Sequence, residues 1–170
     1  DYKPLIPLEV PYNFQDCGRL IHPESVNQTT IHSWIYGCKI AHRGLCQHRV
    51  RRLAPSRPPS MILIDVQRGC LVSASGHEQY VALSYVWGNV TSPQTKSTNL
   101  NILQRNGVLV DESAGFQVPK TIWDAIRLVR ALSYKFLWVD RLCIIQDDEA
   151  HKNIQISRMG AIYSHAEFTI

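Results

Sequence analysis

The stretch Tyr80–Gly88, read YVALSYVWG, decides the fold. Six of its first seven residues are apolar or aromatic, and β-branched and aromatic types recur in it. That composition reads as a buried strand over Val81–Val86 that ends abruptly in Trp87-Gly88. Trp87 places a large aromatic at the strand's exit, and Gly88 allows a sharp turn there.

A second loaded strand follows about fifty residues on. Tyr134–Asp148 reads YKFLWVDRLCIIQDD, an apolar run over Phe136–Val139 that stops at Asp140. Between the two, Pro119-Lys120-Thr121 opens a helix with Ile122, Ala125, Ile126, Val129 and Leu132 on one stripe. Asp147-Asp148-Glu149 starts another helix, expected to run to about Ser164 with Ile156, Met159, Ile162 and Tyr163 facing the core. Glu167–Ile170 (EFTI) reads as the beginning of a third strand, from which we expect the chain to be part of a longer protein. Strand, helix, strand, helix, strand predicts right-handed crossovers and a short parallel sheet with flanking helices, an α/β fold. The most apolar strand, 81–86, is expected in the middle, between 136–140 and 167–170.

Upstream, Met61–Val66 (MILIDV) and Cys70–Ser75 (CLVSAS) flank Gln67-Arg68-Gly69 and predict a hairpin. Residues 49–60 read as an Arg/Pro/Ser linker and 1–26 as an extended lead-in. From Thr29 to about Gln47, Ile31, Trp34, Ile35, Cys38, Ala41 and Leu45 fall at helical spacing, which predicts an amphipathic helix packed on the body. Two units follow: an N-terminal extension, 1–60, and a domain, 61–170, truncated at its C-terminal side. Cys38, His42, Cys46 and His48 are metal-ligand types at helical spacing, but i to i+8 spans about 12 Å, too far for one ion, so a packing face is preferred and no metal is expected.

Net charge is +4, and the one dense basic patch, His48–Arg57, has no interleaved aromatics to stack bases. A nucleic-acid partner is therefore not expected. No run of eighteen apolar residues occurs and no secretory pattern is visible at the N-terminus, so neither membrane nor export is expected. Five cysteines are odd in number and too few for a disulfide framework, which points to a reducing, cytoplasmic setting. The triplets Asn27-Gln28-Thr29 and Asn89-Val90-Thr91 are read as chance. The commonest nucleotide, metalloprotease and hydrolase signatures are absent.

In a parallel sheet, ligands bind beyond the carboxyl ends of the strands. The candidate binding rim is therefore Ser84, Trp87 and Gly88 from the first exit, with Asp140, Arg141, Cys143, Gln146 and Asp147 from the second. Asp140, directly after FLWV, is the leading candidate, because a carboxylate there needs partners. It either caps a turn or serves a site. Trp87 is read as a packing lid before a stacking platform, and Cys143 as a small buried hydrophobe before a nucleophile. His77 and His151 are the histidines that could approach Cys143 in space.

Four blocks together, ALSYVWG, VPKTIWDAI, LWVDRLCIIQ and MGAIYSHA, resemble the fungal heterokaryon-incompatibility (HET) domain. The resemblance implies an effector or signalling module of non-self recognition and programmed cell death, an innate-immunity role, with protein partners or self-association. The HET family is in turn similar to TIR domains, with a flavodoxin-like core, and LCIIQDD resembles a TIR strand end. That second likeness implies cleavage of NAD as substrate, with no bound cofactor. In TIR enzymes the catalytic glutamate lies on the helix after the third strand; neither Glu149 nor Glu167 is assigned to that role. Whether the chain is an enzyme stays open, the alternative being a non-enzymatic, self-assembling interaction module.

Overall fold

The computed structural model describes residues 26–42, 55–88, 93–111 and 116–170. Readings that fall on 1–25, 43–54, 89–92 and 112–115, including Cys46, His48, the first half of the linker and the Asn89 triplet, lie outside the described residues.

The hairpin forms as the spacing predicts. Strand β1 (Ser60–Asp65) pairs antiparallel with β2 (Cys70–Ser75), from Ser60↔Ser75 to Asp65↔Cys70. Its turn is built by Asp65, whose carboxylate accepts from the backbone N–H groups of Gln67 at 3.0 Å and Arg68 at 2.9 Å. Gly69 closes the turn with φ +61°, a left-handed angle that glycine adopts without penalty.

Strand β3 (Tyr80–Leu83) and strand β4 (Phe136–Val139) are buried at every position, as continuous apolar runs require. They pair parallel, from Tyr80↔Phe136 to Leu83↔Val139. On the other side of β3 runs the terminal segment, also parallel, with Ala82 N–H donating to Phe168 O at 3.1 Å and Ser84 N–H to Ile170 O at 2.9 Å. The expected order, 136–140 beside 81–86 beside 167–170, is the one observed.

Within the sheet, two details differ from expectation. The sheet order is β2-β1-β4-β3, and β1 meets β4 antiparallel through Ile64↔Leu137 and Asp65↔Phe136. The hairpin thus extends the sheet instead of merely preceding it, and the sheet is mixed. The first core strand also stops at Leu83, and Val86 is 92% exposed, because the chain has turned out of the sheet by then.

Between β3 and β4 lie the short helix α2 (Leu100–Leu103) and helix α3 (Lys120–Ala131). Helix α3 buries Ile122, Ala125, Ile126 and Val129 against the sheet, the stripe read from the sequence. After β4 comes a single turn, α4 (Asp140–Cys143), then α5 (Glu149–Ser157) and α6 (Met159–His165). Asp148 caps α5 by accepting from His151 N–H at 2.9 Å. The one helix expected over 149–164 is therefore two, divided at Arg158. Ile156, expected to face the core, is 49% exposed, while Ile162 is fully buried. Trp138 and Tyr80 anchor the core; the Tyr80 hydroxyl donates to Ile162 O, joining sheet to α6.

Helix α1 (Gln28–Ala41) starts where Asn27 caps it, its side chain accepting from Thr30 N–H at 3.0 Å. The amphipathic reading predicts burial of its apolar stripe. None of its residues is buried, and Trp34, Tyr36 and Ile40 are 62%, 68% and 56% exposed. Of the stripe's described positions, Ile31 and Ile35 are half-buried and Trp34, Cys38 and Ala41 are exposed.

Candidate functional site

The exits of β3 and β4 meet at the carboxyl end of the parallel pair. Because their register is level, Leu83 opposite Val139, the residues that follow each strand emerge side by side. The Trp87 indole N–H donates to both carboxylate oxygens of Asp140, at 3.0 and 2.9 Å. Asp140 opens α4, and its carboxylate also accepts from Arg141 N–H at 2.7 Å. The Arg141 guanidinium carbon lies over the Trp87 ring, 4.4 Å from its centre, a cation–π contact. Arg141 is buried.

This indole–carboxylate–guanidinium cluster joins residues 53 positions apart. Burial raises the Asp140 carboxyl above the usual carboxylate range, against the opposing pull of the Trp87 N–H, the Arg141 N–H and the Arg141 charge. Asp140 thus both begins a turn and receives the indole N–H. Trp87 covers Arg141 as a lid would.

The remaining rim residues divide by distance from this cluster. Gln146 belongs to it: its carboxamide donates to Asp140 O at 3.0 Å and Ile144 O at 3.1 Å. Cys143 lies behind it, fully buried, its sulfur accepting from Val139 N–H at 3.3 Å. Burial pushes that thiol up to about 12, so it stays protonated. Neither histidine approaches it as a base. His151 Nδ1 accepts from Ile145 N–H at 3.3 Å, and His77 is exposed at the β2–β3 turn. Asp147 faces away to Ser97, whose N–H it accepts at 2.8 Å, and that bond lowers its pKa. Ser84 and Gly88 stand exposed at the margin, Gly88 with φ +65° where the chain turns.

Three further residues complete this region: Tyr85, read as part of the rim over Tyr85–Gly88, Tyr163, read as a core position, and Thr95, which the sequence reading did not single out. The Tyr85 hydroxyl is buried without a well-formed hydrogen bond, and burial raises its pKa to about 12 although the Arg141 charge opposes this. Thr95 is fully buried, its hydroxyl donating to Leu142 O at 2.7 Å and its carbonyl accepting from Gln146 N–H at 2.9 Å. Tyr163 on α6 donates to Leu83 O at 3.4 Å and meets the Trp138 ring edge-on. Tyr85 lies inside the ALSYVWG block and Tyr163 inside MGAIYSHA, whereas Thr95 sits in a polar stretch that reads as loop.

Cys38 Sγ and His42 Nδ1 are 3.4 Å apart at the end of α1. Among the described residues no group of three or more His, Cys, Asp or Glu side chains is arranged to hold a metal ion. No described helix is long and apolar enough to cross a membrane.

A family model described as heterokaryon incompatibility protein (HET) matches residues 80–170. The chain is similar to heterokaryon incompatibility protein 6, OR allele, of Neurospora crassa, 31% identical over 68% of this chain and 17% of that protein. The chain therefore spans less than a fifth of the relative it matches. No solved structure matches.

Proposed function

The chain belongs to the heterokaryon incompatibility (HET) family, and from that premise we propose that it is a module of fungal non-self recognition whose activation leads to cell death. Its working surface is the rim where β3 and β4 end. One observation supports this above the others: two separated motif blocks converge there in the Trp87–Asp140–Arg141 cluster. A fold needs no half-buried carboxylate at a strand exit merely to pack, since an apolar residue serves that purpose at no desolvation cost.

The finer reading is TIR-like cleavage of NAD at the nicotinamide–ribose bond. The N-glycosidic bond breaks, water adds to the ribose carbon, and nicotinamide, ADP-ribose and a proton leave. Its support is the parallel order of β4, β3 and 167–170, which opens a rim of the kind that takes nucleotides. In this reading Asp140 is a positioning residue, because both its oxygens already face the indole. The carboxylate that steadies an oxocarbenium-like transition state is then a different one.

The test is Asp140→Asn in the full-length protein, expressed in fungal cells. Asn keeps one acceptor for the indole and removes the charge. We expect killing to be lost while abundance and melting temperature stay near wild type. Killing at the wild-type level sinks the assignment of the rim. Nicotinamide release by the purified full-length protein separates the two chemistries: enzymatic turnover supports NAD cleavage, and death without turnover, accompanied by oligomerisation, supports the self-assembling module.

A further inference from the structure

At the amino end of the parallel strands, opposite the rim, α1 lies across the body without embedding in it. None of its residues is buried, and Ile31 and Ile35 are no more than half-buried. A helix that packs for stability buries its apolar stripe, so α1 is held in another way. Polar stays stand at His32 and Lys39, i and i+7 on a single helical face. The His32 ring lies 3.5 Å from Ala131 O at the close of α3. Lys39 Nζ donates to the Tyr134 hydroxyl at 3.3 Å and pairs with Glu167 at 3.6 Å.

The Lys39 end is a built seat. Glu167 opens the terminal segment beside β3, its N–H bonded to Tyr80 O at 2.8 Å, and its side chain is 2% exposed. A carboxylate so buried is costly unless it is paired. Tyr134 meets the Phe168 ring edge-on at 5.3 Å, and the Lys39 ammonium lies 5.7 Å from the Tyr134 ring centre. A carboxylate, a phenol oxygen and an aromatic ring of the body thus converge on one ammonium group. Burial lowers the Lys39 pKa, but Tyr134 and Glu167 outweigh it and the net direction is up. The Lys39 side chain is itself 47% exposed. An ion pair open to water on one side holds by little, and no buried apolar residue of α1 adds to it. Closed and lifted states of the helix therefore lie close in free energy.

We propose that α1 is a strap latched by Lys39 in the Glu167–Tyr134 seat, and that it lifts from the body as a unit when the latch opens. Closed, it walls a groove of about 560 Å³ whose far side includes His77, Glu78 and Phe136. Lifted, it uncovers that groove and the acidic seat at the amino end of the strands. Strap and rim occupy opposite ends of β3 and β4, so the latch does not depend on what the rim does.

The test is hydrogen exchange of the full-length protein, read by mass spectrometry with α1 and β4 peptides followed separately. Glu167→Gln keeps the side chain's size and leaves the sequence of α1 intact. It is expected to speed α1 exchange at least about threefold while β4 stays at the wild-type rate. Lys39→Ala, which does not lower helix propensity, is expected to do the same in the wild-type background and much less where Glu167→Gln is already present. Unchanged α1 exchange in both single variants overturns the proposal. So do effects that simply multiply in the double variant, β4 exchange that quickens in step with α1, or α1 amides that already exchange at unstructured rates in wild type.

Discussion

At the scale of single residues, Asp140 carries the strongest expectation. Its folded pKa is raised, so between the ordinary value of 3.8 and the raised one the folded chain binds more protons than the unfolded chain. Stability from this group is therefore present below 3.8 and declines as pH rises through that window. Asp140→Asn removes the decline. Denaturant melts of the two proteins across about pH 3–6 are expected to show wild type losing ground to the variant as pH rises; the opposite slope would mean that the indole and guanidinium outweigh burial. Trp87→Phe keeps the ring under Arg141 but takes away the N–H. The carboxylate then loses its main side-chain donor, and unfolding free energy drops by about 1–3 kcal/mol. Thiol chemistry gives a simpler check: with the protein folded, iodoacetamide should label exposed Cys38 and leave buried Cys143 untouched.

At the scale of elements, the close of α3 is unusual in its residue. Ser133 N–H bonds Arg130 O at 3.0 Å and Tyr134 N–H bonds Val129 O at 3.1 Å, the paired bonds of a Schellman ending. The position calls for a left-handed residue, and Ser133 takes it with φ +62°. Glycine fits there without the steric cost, so Ser133→Gly is expected to add about 0.5–1 kcal/mol and raise Tm by about 2–4 °C. Gly76, after β2, is the converse case. A Cβ there would lie 1.5 Å from the Pro58 carbonyl oxygen, where the backbone of 55–59 is held by Gly76 N–H to Pro59 O at 3.1 Å. Gly76→Ala must push that segment away, and calorimetry should show a loss above about 2 kcal/mol. A variant that melts like wild type would mean the segment moves freely.

At the scale of the whole molecule, the parts legible in the sequence were those fixed by short-range pattern. Continuous apolar runs marked β3 and β4 because both faces of those strands are covered, and one stripe marked α3. The pairing of β1 with β4 was not legible, since it rests on two residue pairs that no local pattern announces. Nor was the division of α5 from α6, which contains no Gly or Pro at Arg158. The rim residues were legible as strand exits and Tyr163 as a core position, while Thr95 was not, because it arrives from a distant polar stretch that reads as loop. Helix α1 was over-read: periodicity reports which residues share a face and not whether anything covers it. Its lack of burial predicts local opening, so hydrogen exchange should strip α1 amides far faster than those of β4. Equal protection would mean that α1 is part of the core unit.

The cluster at the strand exits also has a place in time. The β1–β2 hairpin closes over a four-residue turn and can form within microseconds, whereas Trp87 must find Asp140 across 53 residues of chain. Loop closure of that length is costly before any contact rewards it, so the clamp between the two motif blocks is among the last contacts made. A late contact contributes to the barrier against leaving the native state and little to the barrier for reaching it. Stopped-flow measurements on Trp87→Phe should accordingly find refolding near the wild-type rate and unfolding faster by about tenfold or more, which makes the residues that bring the two strand exits together also the ones that decide how long the rim endures once assembled.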